Sequence, residues 1–211
     1  MFGIQNLPLY LVSCILLNLT PGQDTLYIVG RSISQGRKAG LVSAFGIMSG
    51  VLMHTLLAAL GLSVILATSS LAFSIVKYIG GGYLIWIGIG FIRNKANQPQ
   101  VAGNGDRSVR LWKTYRQGLL TNLLNPKVAL FFLSFLPQFV SPQADFVFGA
   151  FTALGLIFFT TGSIWCMVLV HGSSWLTSKF RAHARMGGWL KRITGTLFVG
   201  LGLKLALENH P

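Results

Sequence analysis

Five stretches of the chain, 1–23, 39–76, 78–92, 128–144 and 146–178, contain no Asp, Glu, Lys or Arg. Within them apolar residues run on nearly unbroken, without the alternation of a half-buried strand or the single apolar stripe of a surface helix. A helix that crosses a bilayer needs roughly 20 such residues. The pattern predicts six spans, at about 7–30, 39–66, 71–92, 117–139, 146–170 and 187–207. The run 39–76 is too long for one crossing, and Ala67-Thr68-Ser69-Ser70 offers a polar hairpin that divides it. The last span carries Lys191 and Arg192 at its start and Lys204 near its end, which must snorkel to the interface. The expected fold is therefore an all-α polytopic membrane protein, one transmembrane domain over 1–211. A first half at 1–92 and a second at 117–211 are joined by a linker at 93–116 that holds Asn97, Pro99, Gly103, Asn104 and Gly105. Three spans per half is an odd number, so two tandem halves would enter from opposite faces as an inverted repeat. Gly88 and Gly90 in the third span align with Gly200 and Gly202 in the sixth, in keeping with such a repeat.

Composition agrees with this reading. Hydrophobic residues make up 52% and charged residues 10%, against about 25% charge in an ordinary soluble domain. Mean hydropathy is +0.62. These values exclude a disordered chain and argue against a soluble domain. The net charge of +13 would suggest a nucleic-acid partner in a soluble protein. Here the basic residues fall between the spans: Arg31, Arg37 and Lys38; then Arg93, Lys95, Arg107, Arg110, Lys113 and Arg116; then Lys179, Arg181, Arg185, Lys191 and Arg192. The positive-inside rule puts these three loops in the cytoplasm and both termini outside, with no role for nucleic acid. The first span lacks a basic segment before it and reads as a span rather than a signal peptide. Cys14 and Cys166 sit in apolar runs and read as packing residues.

Two places break the apolar pattern in matching spans. At 18–24 the chain reads N-L-T-P-G-Q-D, with Thr20 placed to cap a new helix and Pro21 to start it, Gln23 closing a capping box. At 121–127 it reads T-N-L-L-N-P-K, with Asn125 as the cap and Pro126 as the first helical residue. Spans one and four are expected to be broken there, about 21 Å of helix into the first. Two half-helix N-termini would then offer free N–H groups to a carboxylate; the alternative is a pair of proline kinks. Asp24 is the one acid at membrane depth, where a charge costs at least ~2.5–3.5 kcal/mol. It must face a cavity or a partner or hold a proton, unless it serves only as a first-turn dipole partner. Lys127 has the matching position after Pro126, and a pair with Asp24 would bury both charges together. His54 is a weaker candidate, since a lone helical histidine suits packing. Gly36, Gly40, Gly46 and Gly50, with Gly80, Gly81 and Gly82, are assigned to close helix packing. No metal site, nucleotide loop or cofactor motif is present.

Three stretches resemble the LysE/RhtB family of bacterial amino-acid exporters. They are 18–63, running from N-L-T-P-G-Q-D-T through G-R-S-I-S-Q-G-R-K-A-G to G-L-S; 80–88, G-G-G-Y-L-I-W-I-G; and 118–127, G-L-L-T-N-L-L-N-P-K. The family usually has Pro-Gly-Pro at the first break, where this chain has Pro21-Gly22-Gln23. The resemblance implies secondary efflux of amino acids or close derivatives across the inner membrane, driven by protons, with Pro21, Gly22, Asp24, Asn125, Pro126 and Lys127 at the motif positions. Thr20 and His54 complete the candidate substrate or proton site. The reading is an exporter of small zwitterionic solutes working by alternating access, with the lipid bilayer and a small amino acid as partners; the sequence assigns neither the particular amino acid nor an oligomeric state. Its rivals are a passive channel, a structural membrane subunit and, least supported, an intramembrane enzyme, for which neither a G-x-S-x-G nor an H-E-x-x-H motif exists.

Overall fold

The computed structural model describes residues 3–68, 110–141 and 143–182, with scattered helical positions between 78 and 93 and between 192 and 203. Residues 94–109 of the linker, the end of the hairpin at 69–70, most of the third and sixth expected spans, and Gly80 and Gly81 lie outside the described residues. Among the described residues all regular structure is helical apart from one isolated antiparallel bridge between Ile4 and Val140.

The first span is broken. Helix α1 runs Leu7–Leu19 and α2 runs Gln23–Gln35, separated by Thr20, Pro21 and Gly22. Pro8 sits in the first turn of α1, where its missing N–H costs nothing. Gly36 follows α2 with φ of 85°, a left-handed backbone that glycine adopts without strain, and α3 starts at once, Arg37–Thr68. The fourth span is broken too. Helix α4, Leu111–Leu123, stops at Leu124 and Asn125, and α5, Pro126–Leu130, resumes beyond them. It passes into a π turn, Phe131–Phe135, and a 3-10 turn, Leu136–Phe139. The segments on either side of this break meet at 46°. Helix α6 runs Val147–Ala182.

Among the described residues two helices are long and apolar enough to cross a bilayer, Arg37–Ser63 and Val147–Ser173, and the bent pair around Asn125 counts as a third. The helices outrun the apolar stretches. Arg31, expected in a loop, lies on α2, and Lys113 and Arg116 lie on α4. Basic side chains on a helix end can reach the interface, so charge marks the membrane boundary and not the helix end. Exposed Val12, Ile15, Phe45, Leu57 and Ile164 give α1, α3 and α6 apolar outer surfaces, suited to lipid as the surrounding solvent.

The core has two parts. At one end Tyr10 packs among Phe131, Phe135 and Phe139, with ring centroids 5.1–6.3 Å from its own, and its hydroxyl donates to the Leu154 carbonyl at 2.8 Å. Two backbone bonds, Gln5 N–H to Phe139 O and Ser141 N–H to Gly3 O, both 2.8 Å, tie the N-terminal segment to the 3-10 turn. The other part is the seam between α3 and α4. A Cβ at Gly46 would meet the Tyr115 carbonyl, and one at Gly118 would lie 2.7 Å from the Ser43 carbonyl. The two backbones touch because both positions lack side chains.

Candidate functional site

The two breaks face one another, and each is completed by the other. In a continuous helix the Leu17 carbonyl would accept from the N–H of residue 21, but Pro21 has none. The Lys127 ammonium supplies the missing donor: Nζ donates to Leu17 O at 2.7 Å and to Thr20 O at 2.8 Å. A cation at a helix C-terminus also suits the dipole there. In return, Asp24 in the first turn of α2 reaches across to α4, where Asn122 Nδ2 donates to its Oδ2 at 2.8 Å. The residue after each break thus binds a residue before the other.

This arrangement corrects three expectations. Asp24 and Lys127 do not form an ion pair; among the described residues no such contact reaches 4.0 Å. They share one cavity, but the carbonyls freed by Pro21 claim the ammonium. Thr20 is not the cap of α2. It closes α1 and its hydroxyl donates to Leu16 O at 2.7 Å, because Pro21 and Gly22 stay extended and delay the new helix to Gln23. Gly22 takes the cap position with no side chain of its own to fill it. The third correction concerns α5. Asn125 does cap it, accepting the Lys127 N–H at 3.0 Å, yet at five residues with its cap satisfied α5 offers no carboxylate site.

The cavity between the breaks measures about 40 Å³, above the roughly 10–15 Å³ that one water needs. Gly22, Asp24, Thr25, Asn122, Asn125 and Lys127 form its polar side, with Asn18. An added Cβ at Gly22 would stand 3.6 Å from Lys127 Nζ, an ordinary contact. Pro21 is not on the wall but sets the break. His54 lies behind it, buried, stacked on Phe132 at 5.7 Å, with Nε2 3.2 Å from the Asn122 carbonyl. A carbonyl only accepts, so that nitrogen carries the proton. His54 thereby positions Asn122 and does not touch the cavity. Asp24 Oδ1 and Asn122 Oδ1 are buried with no partner.

The glycines divide by role. Gly40 stands against the Ser32 side chain, Gly46 against the α4 backbone and Gly50 against Asn122, whose Oδ1 a Cβ would meet at 2.5 Å. Gly36 is a turn glycine rather than a packing one: a Cβ there would meet nothing within 4 Å, and its positive φ is what the chain needs. Around Gly82 too a Cβ would find open space.

Motif reading passed over Asn122, Asn18 and Trp165. Asn18 Nδ2 donates to Thr161 Oγ1 at 3.2 Å, joining α1 to α6. Each asparagine lies in an apolar run three or four residues before a break proline. The cost of burying an amide without a partner was the signal that could have found them. Trp165, one aromatic among many, gave no signal.

Broken helices around a small cavity with polar and apolar walls, within an apolar helical body, are an arrangement that membrane transporters use. The LysE type translocator family model matches residues 15–209, and the chain belongs to that family. An uncharacterized membrane protein of Pseudomonas aeruginosa is 31% identical over 97% of this chain and 96% of its own length. One from Bacillus subtilis is 29% identical over 97% of this chain and 100% of its own. A leucine efflux protein of Klebsiella pneumoniae is 28% identical, covering 97% of this chain and 96% of itself. No solved structure matches the chain.

Proposed function

We propose that the protein exports amino acids or close derivatives across the bacterial inner membrane by alternating access, coupled to proton entry. The observation that carries this reading is Asp24: a carboxylate at a helix break, one oxygen bonded to Asn122 and the other without a partner, beside a cavity. A carboxylate so placed can hold a substrate ammonium or a proton but not both. Exclusive occupancy at one site is sufficient to exchange the two in opposite directions. The N-terminus of α2, with Gly22 at its cap position, takes the substrate carboxylate. The leucine efflux proteins among the relatives support the choice of amino acids. The reciprocal bonds between the breaks, Lys127 to the end of α1 and Asp24 to the end of α4, support two halves related as an inverted repeat, with loops rich in Lys and Arg facing the cytoplasm.

A passive channel or a structural subunit has no use for a buried carboxylate with one unpartnered oxygen at a helix break beside a cavity. The test is efflux from cells loaded with amino-acid dipeptides, comparing expressing and deleted strains. Expression should lower the internal amino acid below its equilibrium level, and an uncoupler should abolish the difference. Efflux that only follows the concentration gradient, unaffected by the uncoupler, would assign a channel instead.

A further inference from the structure

Three polar atoms on the cavity-lining residues have no hydrogen-bond partner although they are buried: Asp24 Oδ1, Asn122 Oδ1 and Trp165 Nε1. Such atoms are uncommon in folded proteins, and each costs about 1–3 kcal/mol when unmet. Two of them are acceptors on side chains already bonded to each other, from α2 and α4. The third is a donor on α6. The α6 wall is formed by Phe158, Gly162, Trp165, Cys166 and Leu169, at the spacing of one helix face. Gly162 keeps that wall open, since a Cβ there would stand 3.5 Å from Met48 and 3.6 Å from Asn18. An ammonium needs acceptors and a carboxylate needs donors, so the cavity offers both ends of a zwitterion. Beside the polar groups, Asn18, Thr25, Asn125 and Lys127 among them, Ile28, Ile47, Val51, Phe158 and Leu169 give the lining an apolar part.

We infer that the substrate is an α-amino acid with a neutral, apolar side chain, and that Trp165 determines its recognition by donating to one carboxylate oxygen. Asp24 and Asn122 accept from the ammonium, and the apolar lining surrounds the side chain. This rests on the export reading above and adds to it the class of side chain and a residue on α6. Basic amino acids are excluded by two features together. Their side-chain charge would be buried without a partner among aliphatic groups, and Lys127 already places one cation at the cavity.

The experiment is leucine counterflow in proteoliposomes of the full-length protein, with competitors that carry parts of the substrate. Isoamylamine has the ammonium and the apolar tail but no carboxylate. 4-Methylpentanoate has the carboxylate and the tail but no ammonium. In the unmodified protein, norleucine should compete like leucine and lysine about a hundredfold more weakly. Trp165→Phe keeps the ring and removes the N–H. It should raise the half-saturating leucine concentration about tenfold, weaken 4-methylpentanoate to the same degree, and leave isoamylamine unchanged. Lysine competing as well as leucine would overturn the side-chain class, and this needs no variant to fold. Equal weakening of leucine and isoamylamine by Trp165→Phe, or no weakening of either, would overturn the role of Trp165. Counterflow of no amino acid at all would bring down the export reading itself, and this inference with it.

Discussion

Asp24 carries the chemistry proposed for this protein because its surroundings leave one of its oxygens available. Asn122 satisfies Oδ2, while Lys127 spends its ammonium on the end of α1. Asp24→Asn preserves the size of the group and removes its charge and its proton. This variant should still exchange substrate down a gradient, slowly, while losing accumulation against a gradient and the dependence of export on pH. Export from vesicles measured across a pH series, with and without an imposed proton gradient, checks this. A variant that responds to pH like the unmodified protein would make Asp24 a structural residue. Lys127→Met tests a different function. It removes the donor that stands in for Pro21, and losing a charged hydrogen bond to a buried carbonyl costs about 1.5–3 kcal/mol. Thermal unfolding should show that loss. Because Lys127 serves α1 carbonyls and does not pair with Asp24, adding Asp24→Asn should restore little of it. Substantial recovery of stability in the double variant would reinstate a direct pair.

The broken and packed elements of the fold make separable demands on glycine. Gly22 caps α2 with φ of −148°, an extended backbone open to any residue, and an added methyl meets only an ordinary contact with Lys127. Gly22→Ala should fold and reach the membrane normally, yet export poorly, because the methyl stands at the N-terminal end of α2 on the cavity wall. Gly46→Ala should do the reverse at the α3–α4 seam. Its methyl would collide with the Tyr115 backbone, which Tyr115 Oη, donating to Ser49 Oγ at 2.9 Å, holds in place. Two backbones must separate, so the loss should appear as reduced folded protein, with near-normal export per folded molecule. Membrane expression and export per molecule, measured for both variants, distinguish the two demands. Full export by a well-expressed Gly22→Ala protein would reduce the first break to a kink.

For the whole molecule, the distribution of Lys and Arg predicts which way the chain is threaded. With Cys14 and Cys166 replaced by Ala, Asn104→Cys should resist an impermeant thiol reagent in intact cells and Asn209→Cys should react. The opposite labelling would invert the orientation. On the stretch that carries Arg31, Tyr27 Oη donates to Thr114 O at 2.8 Å and Arg31 donates to Gln117 Oε1 at 2.6 Å, holding α2 against α4.

Much of this was written in the chain. Unbroken apolar runs determined a helical membrane protein, because a bilayer leaves the backbone no other way to satisfy its own hydrogen bonds here. Pro21 and Pro126 determined where spans one and four break, since proline cannot donate within a helix. Asn125 fixed its own cap, because capping is decided within four residues. Tertiary structure decided the partners. Which carbonyl lacks a donor depends on where α1 ends, and only the approach of α5 shows that Lys127 fills the gap. Asp24 reaches Asn122 because α2 packs against α4, where Tyr27 and Arg31 also bond, an approach no local pattern encodes. Trp165 came to the cavity through the packing of α6 alone. A hydrogen bond between residues nearly a hundred positions apart is a property of the assembled helices, and sequence spacing carries no trace of it.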